Sequence, residues 1–343
     1  MTPGEDCPHG RPFGPSFAHP PAAWPVQPYI LRCGVLAAPL GKAVRRWDED
    51  TLWPCLAHLA RGRVNGPLFG GVLFEADFTP GGAMLSPRAT GLGALPTAAD
   101  WALAADAMLQ PGGNAAALLA AARRLPEGAA VDLWLAVPYP FEQQADFGAL
   151  SGRRLNFRDH PEDRTAAVLA WMARVSSGWR AAAGEDPAAR VRLRGFAWTR
   201  SMLWPGDLAV IRAAADWVHQ RGLMWMWCYL HGSDGAERAD ACGFDLCLGR
   251  PSPADTPHRL GDALARAGSL GHGLILAWDA EPTADGLAEV LRSVPPHQVR
   301  ALLVDLPFSA IPRWHAQGDP RYERMAQWLT QPAWRAEEGG AGA

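Results

Sequence analysis

The segment Leu133-Trp134-Leu135-Ala136-Val137-Pro138-Tyr139-Pro140, followed by Gln144, Phe147-Gly148, Leu155-Asn156-Phe157 and Glu162-Asp163-Arg164, decides the fold. Leu133, Leu135 and Val137 give a buried-strand pattern that ends at a tyrosine held between two prolines. Proline restricts both its own φ and the residue before it, so the strand delivers Tyr139 with a preset ring direction. A helical pattern follows from Pro161 to Ala182, in which Trp171 and Trp179 lie two turns apart and share a face.

The same alternation extends along the chain. Strand-length apolar runs lie at Tyr29–Ala37, Leu68–Phe74, Val131–Val137, Val191–Trp198, Leu223–Tyr229, Phe244–Leu248, Gly273–Trp278 and Arg300–Leu306. Amphipathic stretches separate them at Asp48–Arg63, Ala98–Arg124, Pro161–Ala182, Asp207–Arg221, Asp234–Ala241, Pro257–Ala267 and Thr283–Arg292, with a last one at Arg321–Thr330. Apolar strands joined by helical crossovers predict a parallel sheet, and eight units predict its closure into an α/β, single-domain (β/α)8 TIM barrel. The barrel is expected over residues 29–332. A Pro/Gly-rich N-terminal segment occupies 1–28, and residues 333–343, ending in Glu, Gly and Ala, are expected to be disordered. The Gly- and Pro-rich stretch Thr79–Pro96 reads as an excursion at the barrel mouth, either a substrate lid or a passive surface loop.

Bulk composition narrows the function classes. Hydrophobic residues make up 48% and charged residues 20%, which suits a soluble globular domain with a sizeable core. The net charge of -3 gives no basic footprint, so nucleic acid is not an expected partner. No apolar run spans a bilayer and no secretory signal is evident, so the expectation is a cytoplasmic protein without membrane association. The six cysteines sit mostly in apolar segments and read as free core thiols. Cys242-x4-Cys247 with His231 nearby matches no standard zinc spacing, so no metal is expected. No phosphate-cradling loop, dinucleotide fingerprint or nucleophile elbow is present, and no cofactor is expected.

Pro138-Tyr139-Pro140, Gln144 with Phe147-Gly148, Asn156-Phe157, Glu162-Asp163-Arg164, Gly195-Phe196-Ala197-Trp198, Trp225 to Tyr229 and Gly243-Phe244-Asp245 occur in an order and spacing that resembles the bacterial domain of unknown function 4855 family. The resemblance runs from about Tyr29 to Trp328. It implies a glycoside-hydrolase-like barrel with a carbohydrate site at the C-terminal ends of the strands. It also implies a carboxylate after the fourth-strand Trp and one or two Glu along the seventh strand, leading to an Asp. This chain has Thr199-Arg200-Ser201 and Ile275-Leu276-Ala277 at those places, and keeps only Asp279.

Glycoside hydrolysis usually needs two carboxyl groups set roughly 5 to 9.5 Å apart. The candidates near strand ends are Asp279, Glu75, Asp77, Glu281 and Asp305; Glu281, beside Pro282, also reads as a solvated turn or a helix cap. The candidate sugar contacts are Tyr139, Trp198, Arg200, Trp227, Tyr229, His231 and Trp278, and the first six of these are expected to converge with Asp279 on one cleft. A Trp face offers apolar area and a polar N–H to a sugar ring, His231 an acid or base near neutral pH, and Arg200 a clamp for a carboxylate or phosphate. Each also has a scaffold reading: strand aromatics fill cores, as Trp134 and Trp225 are expected to do, and Arg200 can pair with a neighbouring Asp. The expected function is binding, and hydrolysis where a carboxylate pair survives, of an oligo- or polysaccharide. The alternative is a catalytically degenerate barrel that binds a glycan or a protein. Oligomeric state is not readable from the sequence.

Overall fold

Strands covered on both faces carry apolar residues at nearly every position, and the runs identified above assemble in that way. The computed structural model describes residues 28–37, 44–184, 190–251, 257–294 and 300–330. The expected N-terminal segment, apart from Pro28, and the expected tail at 333–343 lie outside the described residues, as does Cys7. The parallel strands are β1 Tyr29–Ala37, β2 Gly71–Ala76, β3 Val131–Ala136, β4 Val191–Trp198, β5 Met224–Leu230, β6 Leu246–Arg250, β7 Gly273–Ala277 and β8 Leu302–Asp305. Each pairs with its neighbours in sequence order. β8 returns to β1, with Tyr29 opposite Leu302 and Leu31 opposite Val304, closing an eight-stranded TIM barrel.

The helices are α1 Glu49–Leu56, α2 Ala98–Leu109, α3 Asn114–Arg123, α4 Glu162–Ala183, α5 Leu208–His219, α6 Pro257–Leu270, α7 Ala284–Ser293, α8 Ala310–Gln317 and α9 Pro320–Leu329. Four of them depart from expectation. The Asp48–Arg63 helix stops at Leu56, and Ala57–Ala60 turns back on Arg63–Pro67 as a hairpin. Its two-residue turn, Arg61-Gly62, has both φ angles positive, which suits strand twist. The Ala98–Arg124 helix breaks at Pro111-Gly112-Gly113 into α2 and α3. Asp234–Ala241 forms two single 3-10 turns instead of a helix. α8 was not expected; Pro312 sits in its first turn, where no backbone N–H is required, and Ile311 and Trp314 bury its inner face.

Two apolar layers result. Ile30, Leu73, Trp134, Ala197, Met226, Leu248, Ile275 and Leu303 fill the barrel interior. Trp198, Trp225, Trp227 and Tyr229 belong to the outer layer beneath the helices. Gly195 is required where β4 meets β5, because a Cβ there would lie 1.9 Å from the Met224 carbonyl oxygen. Cys33, Cys55 and Cys247 are buried free thiols, Cys242 is buried as well, and burial pushes the Cys247 thiol well up. Among the described residues no helix is long and apolar enough to cross a membrane.

Candidate functional site

Side chains two apart along a strand share a face, so each inner-layer residue predicts what its strand presents at the C-terminal mouth. Ile30 leads to Arg32, Leu73 to Glu75, Ala197 to Thr199, Met226 to Cys228, Leu248 to Arg250 and Leu303 to Asp305. These end residues, with Leu73, Ile275 and Leu303 as an apolar floor, line a central cavity of about 290 Å3. The excursion after β2 adds Arg88 to its wall. That excursion is held in place: the Leu85 N–H donates to the Asp77 carbonyl at 2.8 Å, and the Tyr139 N–H donates to the Leu85 carbonyl at 2.7 Å. Gln144 donates to the Pro96 carbonyl at 2.7 Å, which closes its far end.

Arg32 is the hub of the charged half of the mouth. Its Nε donates to Glu75 Oε2 at 2.6 Å, one terminal nitrogen to Asp305 Oδ1 at 3.1 Å, and the other to both oxygens of Asp77 at 2.9 Å. Arg88 donates to Glu75 Oε2 at 2.5 Å and to Asp305 Oδ2 at 3.4 Å. Ser86 donates to the remaining Glu75 oxygen at 3.1 Å, and Arg45 lies 3.8 Å from Asp77. Three carboxylates are thus balanced by three guanidiniums. Burial alone would push the Glu75 carboxyl up, but the Arg32 and Arg88 guanidiniums outweigh it and hold the group at about 2. Burial would likewise lower Arg32, and the three carboxylates raise it well above the ordinary arginine value instead.

A second cavity of about 290 Å3 adjoins the first and shares Arg88 and Ser201 with it. Tyr139, Phe141, Glu142, Arg200, Met202 and Trp204 form most of its wall. Behind that wall Asp207, fully buried, accepts from the Tyr139 hydroxyl at 3.2 Å, from Arg200 at 3.2 Å and from Arg164. Burial raises the Asp207 carboxyl above its usual value, with Arg164 and Arg200 pulling the other way. Arg164 also donates to the Pro140 carbonyl at 2.7 Å and the Gly206 carbonyl at 2.8 Å, tying α4 to the loops after β3 and β4. The Arg200 guanidinium lies 5.0 Å from the Tyr139 ring centroid and 5.4 Å from that of Trp204. Trp204 is 44% exposed. One Glu142 oxygen is buried with no hydrogen-bond partner among the described residues, 3.8 Å from Arg164 and 3.9 Å from Arg200.

The expected residues divide into those the fold gathers and those it separates. Glu75, Asp77 and Asp305 meet on Arg32, while Tyr139 and Arg200 share the second cavity. The expected single cleft is otherwise not formed. Trp198 is 1% exposed in the outer layer, and Trp227, fully buried, donates its indole N–H to the Arg200 carbonyl at 2.8 Å. Tyr229 touches the central cavity, but its hydroxyl is 3.0 Å from His272 Nδ1 and its ring packs on Trp227. Trp278 packs against the outer core. His231 lines neither cavity; its backbone N–H donates to the Arg250 carbonyl. Asp279 lines neither, and its side chain stands 97% exposed, 3.1 Å from Arg250. Glu281 belongs to the helical layer, accepting from the Trp314 indole at 2.5 Å and pairing with Arg321 at 2.9 Å and with Arg313.

The sequence reading missed Arg32, Arg88, Thr199, Arg250, Glu142 and Trp204. Arg32 carried a signal, being the one charged residue inside the apolar run Tyr29–Ala37. Ile275, at a position where the resemblance implies a Glu, does face the central cavity, as does Thr199. Both positions therefore belong to the cavity wall itself.

The family described as "Domain of unknown function (DUF4855)" matches residues 38–292. No curated protein sequence matches the chain. Among solved structures, it resembles a carboxyl transferase domain of Rhizobium etli pyruvate carboxylase at 9% identity and TM-score 0.42, with 88% of this chain and 48% of that one covered. The chain thus spans about half the length of that relative. It also resembles a mutant tryptophan synthase alpha-subunit from Pyrococcus furiosus at 10% identity and TM-score 0.41, covering 88% and 96%. A putative lyase/mutase from Burkholderia cenocepacia gives 12% identity and TM-score 0.38, covering 93% and 92%. Likenesses at this level concern fold alone, and the chemistry of the mouth has to come from its own residues.

Proposed function

The chain belongs to the DUF4855 family, and we propose that its barrel mouth binds a carbohydrate without hydrolysing it. The observation that carries this reading is an open mouth whose expected carboxylates are all engaged by arginine. Glu75, Asp77 and Asp305 share Arg32, so their separation alone would permit a two-carboxylate mechanism. The electrostatics of Glu75 do not suit one. A glycosidase acid must hold its proton near neutral pH, whereas Glu75 is held at about 2 with both oxygens accepting hydrogen bonds. Its oxygens also already accept from Arg32, Arg88 and Ser86, which leaves it less free to attack as a nucleophile.

Binding is supported by the second cavity. The half-exposed Trp204 indole, backed by the Arg200 guanidinium, offers a sugar ring an apolar face, and Glu142 presents an acceptor for hydroxyls. The test is a glycan-library screen of the purified protein for both binding and release of reducing ends. The expected result is binding without release, weakened about tenfold in Trp204→Ala at unchanged melting temperature. Release of reducing ends that disappears in Glu75→Gln would replace this reading with hydrolysis.

A further inference from the structure

We infer that the ligand of this mouth carries a carboxylate, as a uronic acid does, and that Arg250 is the residue that receives it. The inference rests on the carbohydrate-binding reading above and names its substrate class. The central cavity is lined by the cations Arg32, Arg88 and Arg250 and by the anions Glu75 and Asp305. Asp77, just behind, accepts from Arg32 and lies near Arg45, so the whole cluster around Arg32 is neutral. Arg250 stands outside it. It ends β6, and Glu75 lies on β2, four strands round an eight-stranded ring, so the two face each other across the cavity.

Arg250 has one partner among the described residues, Asp279 at 3.1 Å, whose side chain is 97% exposed. A pair of that kind is held loosely because water competes for both charges. The other guanidinium donors of Arg250 have no partner among the described residues, and Thr199, with an uncommitted hydroxyl, lies in the same cavity wall. One positive charge held only by an exposed carboxylate, above an apolar floor, fits a monoanionic sugar: its ring over Leu73, Ile275 and Leu303, its carboxylate on Arg250 in exchange for Asp279. Arg200, the clamp expected from sequence, is already committed to the buried Asp207.

The experiment compares oligogalacturonides and oligoglucuronides with their carboxyl-reduced counterparts and with sugar phosphates, by calorimetry on the full chain at low and moderate salt. The expected result is about tenfold tighter binding of one uronate series than of its reduced form, weakening as salt rises. Arg250→Gln should erase that preference. Asp279→Asn, at an exposed position, should tighten uronate binding several-fold by removing the competing carboxylate, a gain that a purely structural role for Arg250 would not produce. Equal affinity for acidic and reduced forms overturns the inference and leaves the carbohydrate reading standing. Tighter binding of phosphates than of uronates overturns the carboxylate assignment. Binding of no member of any series overturns both.

Discussion

Replacing Arg32 by Met keeps the unbranched stem of the side chain and removes the guanidinium on which Glu75, Asp77 and Asp305 meet. Arg88, on the rim, and Arg45, at 3.8 Å from Asp77, then remain to balance three carboxylates. The Glu75 side chain is only 3% exposed, so its charge has no access to water in exchange. Removing one partner of a buried ionic cluster costs about 3–5 kcal/mol, a large share of the roughly 5–15 kcal/mol that stabilises a typical fold. The sign of the pH dependence follows from Glu75. In the wild type its folded pKa lies below the unfolded value, so its contribution is present above the ordinary carboxylate range and is lost as pH falls towards about 2. In Arg32→Met burial dominates, the folded pKa rises above the unfolded value, and the variant regains stability as pH falls. The deficit should therefore be largest near neutral pH and shrink by about 1–2 kcal/mol on going to about pH 4. Urea unfolding followed by circular dichroism measures both numbers, and adding Glu75→Gln to the variant should recover part of the loss. A deficit below about 1 kcal/mol near neutrality, the value for an exposed pair, or one indifferent to pH, would refute the cluster's role as a buried charge balance.

Tyr139→Phe deletes the hydroxyl that donates to the buried Asp207 at 3.2 Å and leaves the two arginines in place; a loss of about 1–2 kcal/mol in urea unfolding is expected. His219 is 2.9 Å from Asp245, which also accepts the Trp225 N–H at 2.7 Å, and this hydrogen bond raises the His219 pKa against the lowering effect of burial. Its contribution is fully present below the unfolded histidine value and lost as pH rises through the folded one, so melting temperature should fall across that interval in the wild type and stay flatter in His219→Gln.

The barrel was legible because alternation of apolar runs with amphipathic stretches survives any error in an individual boundary. Which face each strand turns inward was not. In a strand buried on both sides the hydrophobic pattern does not alternate, so a one-residue choice of parity has no signature in composition. In β5 every residue is apolar or aromatic, and Trp225, Trp227 and Tyr229 had the same standing as Met224, Met226 and Cys228; the fold puts the bulky set outside, where Phe244 lies 5.8 Å from Trp225 and 5.4 Å from Trp227. β1 is different. Arg32 cannot be left among helices without a counter-charge, so its position marks the inward face and couples to Glu75 and Asp305 on the neighbouring strands. Asp279 lies outside both cavities for a simpler reason: β7 ends at Ala277, and two residues further the chain has already left the ring.

The distribution of charge around the ring follows from closure. β8, β1 and β2 are adjacent only because the first and last strands pair, so Asp305, Arg32 and Glu75 lie 273 and 43 residues apart in sequence yet bond as one cluster. The facing half of the cavity wall, from β4 to β7, holds Thr199, Cys228, Arg250 and Ile275 and no carboxylate. If Thr199 and Ile275 were acidic, as the family resemblance implies at their places, Arg250 would have a counter-ion beside it in the wall and the mouth would hold ionisable carboxyls outside the Arg32 cluster. As it stands, that side of the wall offers no carboxylate to a two-carboxylate hydrolysis, and the Arg250 charge has no buried partner. On the binding reading proposed above, such a wall favours an anionic ligand over a hydrolytic reaction, which is why the affinity of acidic against neutral sugars, and not turnover alone, is the measurement that separates the two readings.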